Sequence, residues 1–254
     1  MKYAYVDNIK REAEPKLHGI CPKCGEEVIA KCGNVKVAHW AHKTRKNCDE
    51  WWENETQWHR MWKGYFPEEW QEVIMHDEIT GEKHIADVCT VNGKIIEFQH
   101  SFMKADERIS REIFYKNMIW VVDGTRLMTD AEKFRNACNY SIIPIKNTNF
   151  AYTLAPENCF NKNWIDSSVP VFFDFCAKDV EHNLFCLMPG RVDGKALILI
   201  VTKRNFISLL HKGDIFDAEP KEYLEVFKQG IDRQKTYQIS NHINSRAIRR
   251  SKRL

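Results

Sequence analysis

The run IWVVD (119–123) is apolar at every position but its last, and a strand without a polar face must be covered on both sides. It belongs inside a sheet. KADERISREIFYKNM (104–118) precedes it with helical spacing that predicts Ile109, Ile113, Phe114 and Met118 on an inward face. Upstream, HIADVCTVNGKIIEFQHS (84–101) reads as a β-hairpin turning near Asn92-Gly93. Hairpin, helix and interior strand in that order predict a βαβ crossover, with helix 104–118 across one face of a mixed sheet. QEVIMH (71–76) adds a strand before the hairpin. WWENETQWHRMWKGYF (51–66) reads as a helix with Trp58, Met61, Trp62 and Tyr65 on one face, ended by Pro67. TDAEKFRNAC (129–138) and KRNFISLLHKG (203–213) are further helices, and VPVFFDF (169–175), LFCLMP (184–189) and ALILIVT (196–202) further strands. Residues 139–170 read as irregular, broken by Pro144, Pro156 and Pro170.

The hairpin carries an oddity. Asp87, Glu97 and Gln99 sit among Ile, Val, Cys and Phe, where carboxylates are costly to desolvate unless something offsets the cost. Glu97 and Gln99 share one face of their strand, with Ile96 and Phe98 on the other. A two-residue Asn-Gly turn would point Asp87 away from Glu97. A three-residue Val91-Asn92-Gly93 loop with Gly93 left-handed, or a bulge near Asp87, would set the two acids together. The reading adopted is that they meet, because two carboxylates on one face form a site for Mg²⁺ or Mn²⁺, with Gln99 placed to orient a water. Solvated strand residues are the plainer alternative. Glu55, His59 and Lys63 are spaced i, i+4, i+8 on the helix face away from the tryptophans. His59 could move a proton or touch phosphate, and Lys63 could hold a phosphate oxygen. The alternative is a surface salt-bridge ladder.

Nine cysteines are an odd number in a 254-residue chain with 43% apolar residues, which needs no disulfide staples. Cys89, Cys138, Cys159, Cys176 and Cys186 lie in apolar company and read as buried thiols. Cys21-Pro-Lys-Cys24-Gly is a tight turn in which two thiolates can grip one tetrahedral zinc. The other pair comes from Cys32, His39, His42 or Cys48. The reading adopted is His42 and Cys48, with His39 as the substitute ligand. Four protein ligands leave no open position, so such a zinc would be structural. A ribbon here could also help hold DNA through Lys23 or Lys36.

The set CPKCG, HWAH, WEN-E-xxx-H-xxx-K, HIADV, IEFQHS and RE-xx-Y-xxx-IWVVDG resembles the competence protein CoiA-like family. The resemblance covers roughly residues 18–125 with specific motifs, and more loosely the strands to about 210. It implies an α/β fold with a PD-(D/E)xK restriction-endonuclease-like mixed sheet flanked by helices, an N-terminal zinc ribbon and a C-terminal α+β extension. It implies metal-dependent cleavage of DNA, with Asp87, Glu97 and Gln99 on the motif positions and Gln99 where the motif has Lys. Helix 51–66 would then be the first core helix, whose acid, Glu55, can hold a metal-bound water.

The expected organisation is 1–50 for N-terminal strands and zinc ribbon, 51–140 for the nuclease-like core, and 141–254 for an extension with a basic tail. That tail, 233–254, has seven Lys/Arg and no acid, which suits nucleic acid or a solvated end equally. The expected function is a Mg²⁺- or Mn²⁺-dependent nuclease acting on incoming or foreign DNA, in competence or antiphage defence. The alternative is a non-catalytic DNA-binding or recombination factor with a degenerate nuclease fold. The expected partners are DNA and either a second copy of the chain or another protein at the C-terminal region. ALILIV (196–201) is too short to span a bilayer and MKYAYVDNIKREAEP carries no apolar signal, so no membrane association and a cytoplasmic location are expected.

Overall fold

The computed structural model describes residues 1–44, 48–53, 55–176, 179–213, 215–216 and 218–233. Apart from Arg233, the basic tail lies outside the described residues. The N-terminal strands β1 (Tyr3–Val6), β2 (Ile9–Glu12), β3 (His18–Ile20), β4 (Glu27–Lys31) and β5 (His39–His42) form an antiparallel sheet in the order β2-β1-β3-β4-β5. Its first hairpin pairs Val6 with Ile9 across Asp7 and Asn8, both left-handed at φ 51° and 63°, as a type I′ turn requires. Met1, Ala4, Ala13, Cys21, Val28 and Trp40 form its small core. Gly19 is fixed by that packing: a Cβ there would lie 2.9 Å from the Tyr5 carbonyl oxygen.

The rest of the chain builds one mixed sheet. Its elements are α1 (Gln57–Lys63), β6 (Gln71–His76), β7 (Lys83–Cys89), β8 (Ile95–Gln99), α2 (Ala105–Phe114), β9 (Met118–Asp123), α3 (Met128–Tyr140), β10 (Ile143–Pro144), β11 (Phe150–Thr153), β12 (Val171–Asp174), β13 (Asn183–Leu187), β14 (Ala196–Thr202) and α4 (Lys203–Lys212). Residues 220–233 are also helical. The strand order is β10-β11-β14-β13-β12-β9-β8-β7-β6, with β9 parallel to both β8 and β12. The run IWVVD is thus the interior strand, buried throughout, and β8-α2-β9 is the crossover expected of it. Alternation divides the core. Ile96, Phe98, Ile119 and Val121 pack under Trp58 and Trp62 on one face; Ile95, Trp120 and Val122 pack with Phe134 and Trp164 on the other. No described helix is long and apolar enough to cross a membrane.

Four sequence expectations change. Residues 141–202 extend this sheet, and the stretch expected to be irregular contains β10 and β11, too short to show periodicity. The first helix starts at Gln57, not at residue 51, because Thr56 and His59 form a reciprocal capping box. Glu55 therefore precedes the helix. Thr56→Ala is expected to lower the unfolding free energy by about 1 kcal/mol, read as a shift in urea midpoint at unchanged m. The α2 helix is turned over: Ile109 and Ile113 are 45% and 70% exposed, while Arg108, Arg111 and Glu112 are buried. Glu112 accepts from Arg108, Trp120, Ser167 and Ser168, so the buried charges are closely paired. Among the thiols expected inside, Cys159 and Cys186 are buried, Cys89 and Cys176 partly so, and Cys138 is exposed.

Candidate active site and zinc knuckle

Asp87 and Glu97 are brought together by the turn between their strands. Around Val91-Asn92-Gly93 the Gly93 N–H donates to Thr90 O at 2.9 Å and the Thr90 N–H to Lys94 O at 3.0 Å, with Gly93 left-handed at φ 73°. This three-residue loop sets Val88 opposite Ile96 and Cys89 opposite Ile95. One step further the backbone ladder gives way to side chains. The Asp87 N–H donates to Glu97 Oε1, and the Phe98 N–H to Asp87 Oδ2, both at 3.0 Å. The carboxylates thus satisfy backbone donors that a continued ladder would have paired. Each acid also has a cation: Lys63 Nζ lies 2.9 Å from Asp87 Oδ1, and Arg111 Nη1 donates to Glu97 Oε2 at 3.0 Å.

Lys63 gathers two more acids, Glu72 at 3.1 Å and Glu55 at 3.6 Å. Burial by itself would lower its pKa, but Asp87, Glu55 and Glu72 hold it well above the ordinary lysine value. Glu72 went unnoticed in the sequence. It sits in β6 with a left-handed φ of 48°, which breaks the alternation that would have flagged it, and its carboxylate accepts the Lys2 and Tyr3 N–H groups. Burial opposes its charge, yet Lys63, the amino terminus and those N–H groups hold it at about 2. Glu55, 2.9 Å from Arg60 Nε without hydrogen-bond alignment, keeps both carboxylate oxygens buried and without a hydrogen-bond partner among the described residues. Asp87, Glu97, Glu55, Glu72, Lys63 and Arg111 line one cavity of about 70 Å³, which has room for a small ion and its waters.

His59 and Gln99 stand differently. The His59 Nε2–H donates to Phe98 O at 3.1 Å while Nδ1 faces the Thr56 hydroxyl and N–H, so both ring nitrogens are engaged. Burial keeps its pKa below the usual value, which favours that neutral ring. Gln99 lines a neighbouring cavity with His100 and Asp123, outside the acidic one. Its amide donates to Ser101 and its Oε1 has no partner among the described residues.

Burial first, and Asp87 second, push the Glu97 carboxyl up to about 8, with Arg111 opposing. A pKa raised in the folded state means that folding takes up a proton between the unfolded value, near 4.5, and about 8. The contribution is full below that window and is lost as pH rises through it. In metal-free protein, Glu97→Gln is therefore expected to gain stability over wild type steadily from pH 5 to pH 8. Urea midpoints at both ends read the effect, and a constant difference would contradict it.

The Sγ atoms of Cys21, Cys24 and Cys48 and a ring nitrogen of His42 all lie within 4.8 Å of one another. Cys21 Sγ is 3.6 Å from Cys48 Sγ, and Cys24 Sγ 3.3 Å from His42 Nε2, close to the ~3.8 Å edge of a tetrahedron with 2.3 Å zinc–sulfur bonds. Burial and the nearby Cys21 push the Cys48 thiol upward, so three thiolates fit here only around a cation. This Cys₃His set could bind zinc and is the one read from the sequence. His39 turns to Val37 O and Cys32 to Ala13 O instead. Asp49 ties the knuckle to the acidic site. It pairs with Lys23 at 3.1 Å and accepts the Ile85 N–H at 3.0 Å, two residues before Asp87.

Residues 7–50, which hold all four of these ligands, match the family model described as Competence protein CoiA, N-terminal domain. Over this segment the chain is similar to the CoiA-like family. No curated protein and no solved structure matches the chain. The CoiA domain spans β2 to the knuckle, so its matched part ends at Glu50, just before the tryptophans that wall the acidic cavity.

Proposed function

We propose that the chain is a metal-dependent nuclease of the PD-(D/E)xK type that hydrolyses DNA phosphodiester bonds, in the competence-related setting that its family points to or in antiphage defence. The observation that carries this is the meeting of Asp87 and Glu97 where the hairpin ladder opens, beside the buried carboxylate of Glu55, which is ion-paired but accepts no hydrogen bond among the described residues. Paired carboxylates suit Mg²⁺ or Mn²⁺, and Asp87 and Glu97 would hold the ion. Bound there, it supplies a water of lowered pKa and neutralises phosphate charge.

The chain's own groups do the rest. Arg111 fixes Glu97, and the Phe98 N–H fixes Asp87. Lys63, kept protonated by its three acids, offers a positive charge to a non-bridging phosphate oxygen, the part that Gln99 cannot take from its separate cavity. Glu55 orients the attacking water and accepts its proton. His59 holds α1 against β8 through Phe98 O, a positioning role. Water adds to phosphorus, one P–O ester bond breaks, and the proton taken up by Glu55 returns through solvent to the leaving oxygen.

One observation favours a non-catalytic DNA-binding factor: Lys63 and Arg111 already balance the acid pair. Nicking of supercoiled plasmid in Mg²⁺, Mn²⁺ or no added divalent cation separates the two. Metal-dependent nicking by the zinc-loaded chain supports the nuclease, and DNA binding without nicking in either metal supports the factor.

A further inference from the structure

A second groove, of about 390 Å³, runs between the CoiA sheet and the mixed sheet. It adjoins the acidic cavity, with Met1, Asp49, Trp52 and Ile85 lining both. Its outer wall carries Lys31, Lys36 and Lys43, all exposed. Among the described lining residues Asp49 is the one acid, and it is taken by Lys23 and His84. Lys43 pairs with Glu27 at 3.1 Å, whereas Lys31 and Lys36 make no ion pair among the described residues. The Lys23 expected from sequence to touch DNA is thus withdrawn into the fold, and Lys36 is not. Trp51 stacks on His84, but Trp52, half-exposed, has no ring contact among the described residues.

We propose that this groove holds a single-stranded flank of the nucleic acid whose phosphodiester reaches Asp87 and Glu97, with a base on Trp52 and phosphates on Lys31 and Lys36. The inference rests on the nuclease reading for its direction. The groove has the volume of a small-ligand pocket, enough for a nucleotide or two and not for a duplex. A tryptophan face stacks on an unpaired base, which a duplex keeps buried in its own stack. Basic side chains interleaved with an aromatic are how sequence-tolerant single-strand grooves are built.

The test is fluorescence anisotropy of a labelled oligo-dT and of a blunt hairpin duplex, in buffer without added divalent cation. Wild type is compared with Lys31→Ala/Lys36→Ala and Trp52→Ala, each checked for zinc content and thermal midpoint. The double lysine variant is expected to lose about 1.4 from the slope of log K against log salt on oligo-dT, roughly 0.7 per phosphate contact. Trp52→Ala is expected to bind oligo-dT on the order of tenfold more weakly. Duplex affinity stays within about twofold for both. Unchanged oligo-dT affinity and slope in well-folded groove variants overturns the proposal, as does an equal loss on duplex. Groove-dependent binding by a wild type that never nicks DNA supports the groove and overturns the nuclease reading alone.

Discussion

Cys21→Ser will unfold the N-terminal sheet as well as remove its zinc. Cys21 is a core residue of that sheet, 1% exposed beside Val28 and Trp40, and at the same time one of the four clustered ligands. A sheet with so small a core would draw on a zinc held by this set for folding, since structural zinc binding is folding free energy in small metal domains. Zinc content should fall from one per chain to none, protease sites should open within residues 1–50, and the thermal midpoint should fall by roughly 10 °C or more, equivalent to several kcal/mol in a chain of this size. Cys24→Ser, at an exposed ligand, should lose zinc with a smaller fall. The damage should spread to the hairpin, because Asp49 joins Lys23 of the knuckle to the Ile85 N–H of β7. Retention of stoichiometric zinc by Cys21→Ser would contradict the ligand set.

Asp87→Ala and Glu97→Ala should each reduce metal-dependent cleavage by a factor on the order of 10³ or more, the several kcal/mol that a bound cation contributes to a developing phosphate charge. Both variants should fold. Without Asp87, Lys63 keeps Glu72 and Glu55; without Glu97, Arg111 keeps Glu107 and the Trp51 carbonyl. Lys63→Ala is a different case. It leaves three acids facing one another in a buried site, and breaking such a network costs about 3–5 kcal/mol, so its loss of cleavage should come with a large fall in stability. A Lys63→Ala protein as stable as wild type would mean that these acids are solvated.

The hairpin and the knuckle were the most legible parts. Their geometry is local: a glycine at the third loop position fixes which residues face each other, and a CxxC turn with His and Cys downstream leaves few ways to close a tetrahedron. The interior strand was equally plain, because four consecutive apolar residues leave it no polar face and admit one environment. The orientation of α2 was not legible. Hydrophobic periodicity puts Ile109 and Ile113 inside, and only the position of Glu97 beneath the helix explains why Arg111 goes in and the isoleucines go out. Glu72 escaped for a related reason, since its backbone leaves the strand region at the residue that matters. Gln99 followed the alternation correctly, sharing a face with Glu97, but one strand pitch carried it past the end of the acidic cavity into the next. Asp49 carried no signal of its own beyond its place next to a metal ligand.

The central claim, that Asp87 and Glu97 form a divalent-cation site, is tested most directly by Mn²⁺ titration of zinc-loaded protein at pH 8, with free Mn²⁺ read by electron paramagnetic resonance. Mn²⁺ should bind at this site in wild type, be lost in both Asp87→Ala and Glu97→Ala at unchanged zinc content, and bind more weakly at pH 6, where Glu97 holds its proton. Binding that survives both substitutions, or no binding up to millimolar Mn²⁺, would contradict it.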